Sequence, residues 1–282
     1  MKVKIEKAEG IGFCMGVRRA VDMLEKAASE GGNLETLGDV VHNERVMQKL
    51  SEIGVKVIHK LDDIRSNTVA ISSHGVSPSI EAKLRARKLK VIDTTCPFVR
   101  RAQTAARRLA QAGFWVIVYG EAEHEEVKGI LGWAHGKGIA TLDAEPFKKA
   151  KDVPRRLGML SQTTQIPENF IKFVQEMVEL TFKKDSEIRI IDTICHDIRK
   201  RQMCSLELAR KVDLMLVVGG RSSANTKRLQ ELCSAVTETH QIDSLTGIKR
   251  NWLKGKKHLG VTSGTSTSEE SIDEIVKHLQ ES

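Results

Sequence analysis

The chain has 282 residues, of which 40% are apolar and only five are proline, a globular composition that excludes a disordered polypeptide. No run approaches the roughly 18 apolar residues of a membrane span, and residues 1–10 carry no apolar signal core, so a soluble cytoplasmic protein is expected. The net charge of +8, from 45 Lys and Arg against 37 Asp and Glu, suits an anionic partner: nucleic acid, an acidic substrate or an acidic electron-carrier protein.

Along the chain, Val17, Ala20, Val21, Leu24 and Ala28 form an apolar stripe that predicts a first long helix, closed by Gly31-Gly32. Thr68–Ser72 reads as a buried strand handing over to Ser73-His74-Gly75. Val99, Ala102, Ala106, Leu109 and Ala110 predict a second helix, closed by Gly113, and the strand Trp115–Tyr119 then leads into Gly120 and His124. Phe170, Phe173, Val174, Met177 and Val178 mark a third helix. The strand Asp213–Val218 runs into Gly219-Gly220-Arg221-Ser222-Ser223, and His258–Thr262 runs into Ser263-Gly264-Thr265-Ser266. The basic stretch Lys249–His258, around Trp252, reads as a solvated face, because no nucleic-acid-binding motif accompanies it. Strand–turn–helix alternation of this kind predicts parallel α/β units, in which functional residues gather at the carboxyl ends of the strands.

Ile92-Asp-Thr-Thr-Cys96-Pro-Phe-Val-Arg-Arg-Ala-Gln103 repeats as Ile191-Asp-Thr-Ile-Cys195-His-Asp-Ile-Arg-Lys-Arg-Gln202, with six of twelve positions identical. A looser third copy surrounds Cys14, in Gly12-Phe-Cys14-Met-Gly-Val-Arg-Arg-Ala20. Spacings of 82 and 99 residues between these cysteines suggest three similar α/β lobes with mostly parallel sheets, over 1–95, 96–191 and 192–282, each giving one cysteine to a shared centre. A cysteine at a helix N-terminus is favoured as the metal-binding thiolate. Three such thiolates suit an iron–sulfur cluster or zinc, and the lack of a Cys-x-x-Cys pair argues against a zinc ribbon. Cys204 and Cys233 lie outside these contexts and are expected to pack in the core; an odd total of five argues against a disulfide framework.

His42, His74 and His124 fall at turns or strand ends, and Ser222–Thr226 and Ser263–Ser266 are loops that each lead into a helix. Hydroxyls, Asn225 and free N–H groups at helix starts make phosphate cradles, although simple capping is an alternative, and Thr267 with Glu270 fits a capping box. Glu126 is a candidate proton donor. On these residues alone a set of buried inert thiols, a redox-sensing or nucleic-acid-binding cluster protein and a zinc hydrolase all stay open.

Taken in order, Gly12-Phe13-Cys14, Val41-His42-Asn43, Ser73-His74-Gly75-Val76, Asp93-Thr94-Thr95-Cys96-Pro97, His124-Glu125-Glu126-Val127, Gln162-Thr163-Thr164, Asp192-Thr193-Ile194-Cys195, Ser223-Ala224-Asn225 and Gly264-Thr265-Ser266 resemble the 4-hydroxy-3-methylbut-2-enyl diphosphate reductase (IspH or LytB) family nearly end to end. The resemblance implies three lobes around one central [4Fe–4S] cluster, with Cys14, Cys96 and Cys195 as its ligands and one iron left open for the allylic hydroxyl. It also implies a diphosphate held by His42, His74, His124, Ser223, Asn225 and Ser266, protons delivered by Glu126 with Thr163 assisting, and electrons from ferredoxin or flavodoxin. Neither nucleic acid nor membrane is implied as a partner. The chain departs from the family pattern at Glu125 (usually Pro), at His196-Asp197-Ile198, at Ala224 and at Thr267-Ser268, which leaves a relative with a different substrate as the alternative.

Overall fold

Short strands alternate with helices throughout the computed structural model, which describes residues 3–31, 33–150, 153–182 and 185–281. The chain opens with β1 (Lys4–Lys7), α1 (Met15–Ser29), β2 (Leu34–Leu37), α2 (Glu44–Glu52), β3 (Val55–Ile58), β4 (Thr68–Ile71), α3 (Pro78–Ala86) and β5 (Lys90–Asp93). It continues with α4 (Pro97–Gln111), β6 (Trp115–Tyr119), α5 (Glu125–Trp133), β7 (Gly138–Thr141), α6 (Glu145–Lys148), β8 (Arg156–Ser161), α7 (Pro167–Thr181) and β9 (Glu187–Ile191). Last come α8 (His196–Ala209), β10 (Leu214–Val218), α9 (Ala224–Ser234), β11 (Thr239–Ile242), α10 (Arg250–Leu253), β12 (His258–Ser263) and α11 (Glu269–Glu281). Gly113 closes α4 as expected; Gly31 follows the end of α1, and Gly32 lies outside the described residues.

The strands form three four-stranded parallel sheets with one winding order: β3-β2-β4-β5, β7-β6-β8-β9 and β11-β10-β12-β1. Parallel pairing needs a crossover, and the helices supply it while covering the sheet faces. The central strands are accordingly apolar: every residue of β10 is buried. Three α/β lobes are thus present, as the sequence predicts.

β1 falls within 1–95, yet it pairs with β12, from Lys4 opposite His258 to Lys7 opposite Val261. Its Lys-Ile-Glu-Lys sequence, with both lysines exposed, makes an edge strand, and it supplies the fourth strand of the C-terminal sheet. Each cysteine therefore follows the edge strand that closes a sheet: β5 for Cys96, β9 for Cys195 and β1 for Cys14.

The chain divides into two compact units, one of Met1–Asp22, Val41–Ile53 and His196–Ser282, the other of Met23–Val40 and Gly54–Cys195. In the first, Leu214, Leu216, Val218, Leu259 and Val261 from the sheet pack with Ile272, Ile275 and Leu279 of α11. In the second, the alanine face of α4 (Ala102, Ala105, Ala106, Ala110) lets that helix lie close over Val116, Val118 and Leu160, while Val69, Ile71, Val76 and Leu84 form the core of the other sheet. Among the described residues, no helix is long and apolar enough to cross a membrane.

Candidate functional site

The repeated Ile-Asp-Thr sequence has a local cause. Asp93 Oδ1 accepts from the N–H of Thr95 at 3.0 Å, and Asp192 Oδ1 from that of Ile194 at 3.1 Å, so each aspartate turns the chain just after its strand. The following threonine hydroxyl donates to the carbonyl ending the neighbouring strand: Thr94 to Ile71 at 2.6 Å, and Thr193 to Ser161. The cysteine amide then donates to a carbonyl two residues past that strand end. Cys96 binds Ser73 (3.0 Å) after β4, Cys195 binds Thr163 (2.9 Å) after β8, and Cys14 binds Thr265 (3.1 Å) after β12. All three cysteines thus occupy one construction, a turn between an edge strand and a helix N-terminus.

Cys14 Sγ also accepts from the N–H of Val17 at 3.4 Å, the contact of an N-cap. Burial pushes the Cys14 thiol above its ordinary value, with the Val17 N–H and the Arg201 guanidinium acting the other way. No group of three or more His, Cys, Asp or Glu side chains in metal-holding geometry occurs among the described residues. Each of the three cysteine turns nonetheless offers a soft donor at the positive end of a helix, the chemistry that an iron–sulfur centre needs. Cys233 is fully buried, as expected, whereas Cys204 is only half-buried on α8.

In the second unit, the candidate acid and two histidines come together. Glu126, 2% exposed, accepts from Thr163 twice: the N–H reaches Oε1 at 2.6 Å and Oγ1 donates to Oε2 at 2.9 Å. Because the Thr163 carbonyl binds the Cys195 amide, one residue joins the buried carboxylate to a cysteine turn. His124 caps α5 by accepting the Glu126 N–H on Nδ1 at 3.1 Å, so the neutral ring carries its proton on Nε2 and presents a donor there. The His74 ring meets the His124 ring edge-on, with centroids 5.6 Å apart. Glu125 Oε2 stands 3.3 Å from His74 Nδ1. The turn that holds His74 needs glycine next: Gly75 has φ +68°, and an added Cβ would lie 2.5 Å from Gln103 Nε2.

In the first unit, the remaining candidates line the ends of β10 and β12. Ser223 caps α9 by accepting the Thr226 N–H at 3.3 Å, and Asn43, after His42, caps α2 by accepting the Val46 N–H at 3.3 Å. Gly220 runs so close to His42 that an added Cβ would lie 2.5 Å from the His42 carbonyl oxygen. Ser223, Asn225 and Ser266 are 4%, 3% and 4% exposed. Both polar atoms of the Asn225 amide, and Thr226 Oγ1, find no hydrogen-bond partner among the described residues. An unpaired buried amide is costly. The capping box expected from Thr267 and Glu270 is not the one used. Thr267 Oγ1 donates to the Val218 carbonyl, and Ser268 instead accepts the Ser271 N–H, one residue later. Of the other departures, Ala224 and Ile198 are buried.

The family model described as LytB protein matches residues 5–280. A 4-hydroxy-3-methylbut-2-enyl diphosphate reductase of Dehalococcoides mccartyi is 53% identical over 277 residues, covering 98% of this chain and 98% of that protein. A reductase of the same description from Geobacter metallireducens is 40% identical over 281 residues, covering 99% and 98%. Among solved structures, the E-1-hydroxy-2-methyl-but-2-enyl-4-diphosphate reductase of Plasmodium falciparum matches with a TM-score of 0.91 at 26% identity, over 99% of this chain and 88% of that one. Another, described as the terminal enzyme of the non-mevalonate pathway, matches with a TM-score of 0.71 at 36% identity, over 99% and 100%.

Proposed function

The chain belongs to the LytB family, and from that premise we propose that it reduces 4-hydroxy-3-methylbut-2-enyl diphosphate to isopentenyl and dimethylallyl diphosphate. Two electrons and two protons enter, the allylic C–O bond breaks, and the hydroxyl leaves as water while one carbon end of the allyl system gains hydrogen. The family uses an iron–sulfur cluster, and Cys14, Cys96 and Cys195 are the residues that would hold it, as a single [4Fe–4S] centre with one open iron. When bound, such a cluster supplies the electrons and a Lewis-acid iron. Ferredoxin or flavodoxin, both acidic, would suit the +8 charge of the chain as donors.

One contact carries the catalytic part of this proposal: the buried Glu126 carboxylate, doubly hydrogen-bonded by Thr163, whose carbonyl holds the Cys195 amide. Glu126 acts as proton donor, and the Thr163 hydroxyl, already aligned on Oε2, can pass a proton onward as it receives one. His42, His74, His124, Ser223, Asn225 and Ser266 bind the diphosphate. Supporting that role are the Nε2 donor of His124, the unpartnered amide of Asn225, and the helix N-termini of α2, α5 and α9 that follow His42, His124 and Ser223.

Anaerobic turnover of cluster-loaded protein with a reduced viologen dye tests the proposal. Dye oxidation with formation of both five-carbon diphosphates is expected. Absence of turnover in protein with an intact cluster would falsify it for this substrate.

A further inference from the structure

The three cysteine turns differ in how the carbonyl ending the neighbouring strand is bonded. The carbonyl that ends the neighbouring strand is buried and needs a donor. At the Cys96 and Cys195 turns the donor is the hydroxyl of Thr94 or Thr193, two residues before the cysteine. At the Cys14 turn that position is Gly12, which has no side chain and, with φ +88°, a backbone that a threonine would strain. Arg201 takes the role instead. Its Nη1 donates to the Ser263 carbonyl at 2.9 Å and to Ser263 Oγ at 3.1 Å, while Nη2 donates to the Gly12 carbonyl at 2.8 Å. The Gly12 N–H returns to Ser263 Oγ at 3.0 Å, which closes the link. Arg201 is 3% exposed and lies six residues past Cys195; the positions six past Cys14 and Cys96 are Ala20 and Ala102.

We infer that Arg201 is a positioning residue for Cys14, and that its buried charge, fixed on the Gly12 carbonyl, favours the reduced form of the bound centre. The inference rests on the cluster proposed above. A guanidinium fork fixes both sides of the turn at once, which a hydroxyl cannot do. It also places a permanent cation where the other turns have a neutral group. Arg201 and Asp197 are charged side chains whose fields reach the Cys14 sulfur, with opposite signs. A fixed cation beside an iron–sulfur centre favours its reduced form and raises its potential.

Two variants separate geometry from charge. Arg201→Lys keeps the charge and loses the fork, and Arg201→Met loses both. Each is reconstituted anaerobically, its midpoint potential is measured by spectroscopic redox titration, and iron loss to a chelator is timed. Iron loss several-fold faster than wild type is expected in both variants. The potential should fall in Arg201→Met and stay near the wild-type value in Arg201→Lys. A wild-type potential in Arg201→Met overturns the charge role, and wild-type iron loss in Arg201→Lys overturns the positioning role. Should Arg201→Met fail to fold by circular dichroism, Arg201→Lys decides, because wild-type iron loss in that variant also overturns the inference. Wild-type protein that takes up no cluster would instead sink the cofactor proposal, so the two failures are distinct.

Discussion

Thr163→Val removes one bond from the candidate acid and leaves the volume of the site almost unchanged. The backbone N–H of Thr163 still reaches Glu126 Oε1 at 2.6 Å, but Oε2 loses its 2.9 Å hydroxyl donor. Both residues are at least 95% buried, so water cannot readily replace that donor. A hydrogen bond to a buried carboxylate contributes about 1.5–3 kcal/mol. At roughly 2–4 °C per kcal/mol for a chain of this size, the melting midpoint should fall by about 3–12 °C. If the bond strengthens by as much again in the transition state, turnover drops by roughly 10- to 150-fold at 1.36 kcal/mol per decade. Glu126→Gln should cost more in turnover, about 100- to 10,000-fold, because it removes the transferable proton itself. The assay is a double-mutant cycle on cluster-loaded protein, by thermal melt and by dye-linked turnover. Coupling of about 1 kcal/mol or more is expected between the two sites. Strict additivity, or a Thr163→Val protein with wild-type melting and turnover, would refute a working Glu126–Thr163 pair.

The remaining predictions concern the loops and the core. Asn225→Leu should leave the unliganded protein as stable as wild type or up to about 2 kcal/mol more stable, since it removes an unpaired buried amide, while raising KM at least tenfold; lower stability with unchanged KM would contradict a ligand-facing Asn225. Gly264→Ala should raise KM and destabilise by about 1–3 kcal/mol, because its Cβ would collide with Thr226 Oγ1, and adding Thr226→Ala should restore most of both losses. Burial holds the Cys233 thiol at about 12, so roughly one part in ten thousand is thiolate at pH 8, and peptide mapping should find Cys233 unalkylated in the native protein but modified after unfolding. Burial alone would raise the Glu35 carboxyl, but the Ser66 and Arg65 N–H groups and the Ser66 hydroxyl more than offset it and hold it below its ordinary value. Its contribution is therefore complete above the unfolded carboxylate value, near 4.3, and fades as pH falls through the lower folded value; the stability gap between wild type and Glu35→Gln in urea should shrink below about pH 4.

What could be read from the sequence depended on how local the underlying bonds are. The Ile-Asp-Thr repeat is visible because Asp93 and Asp192 each bind an N–H two residues on, so a turn made by neighbours leaves a mark in neighbouring letters. Arg201 left no such mark. Within Arg199-Lys200-Arg201-Gln202 it looks like part of a solvated cation run, whereas it is buried and bonded to Gly12 and Ser263, far away in the chain. The Thr267 capping box misled for a related reason: the motif is local, but a tertiary acceptor, the Val218 carbonyl, takes the Thr267 hydroxyl and leaves the cap to Ser268.

The same contrast of near and far bears on why the Cys14 turn is built differently. The threonine bonds of the other two turns close 23 and 32 residues of chain, whereas the Gly12–Ser263 contact closes 251. Three doublings of loop length, at about 0.6 kcal/mol each, make that closure roughly 2 kcal/mol less favourable than the others. A single hydroxyl bond, contributing about 1 kcal/mol net, would not offset the difference. The pairing of β1 with β12 and the three bonds of Arg201 together can, and α8, which carries Arg201, starts directly after Cys195. Closure of the most distant cysteine turn is thereby tied to correct formation of α8, so that a misplaced helix there would leave Gly12 and Ser263 without their shared donor.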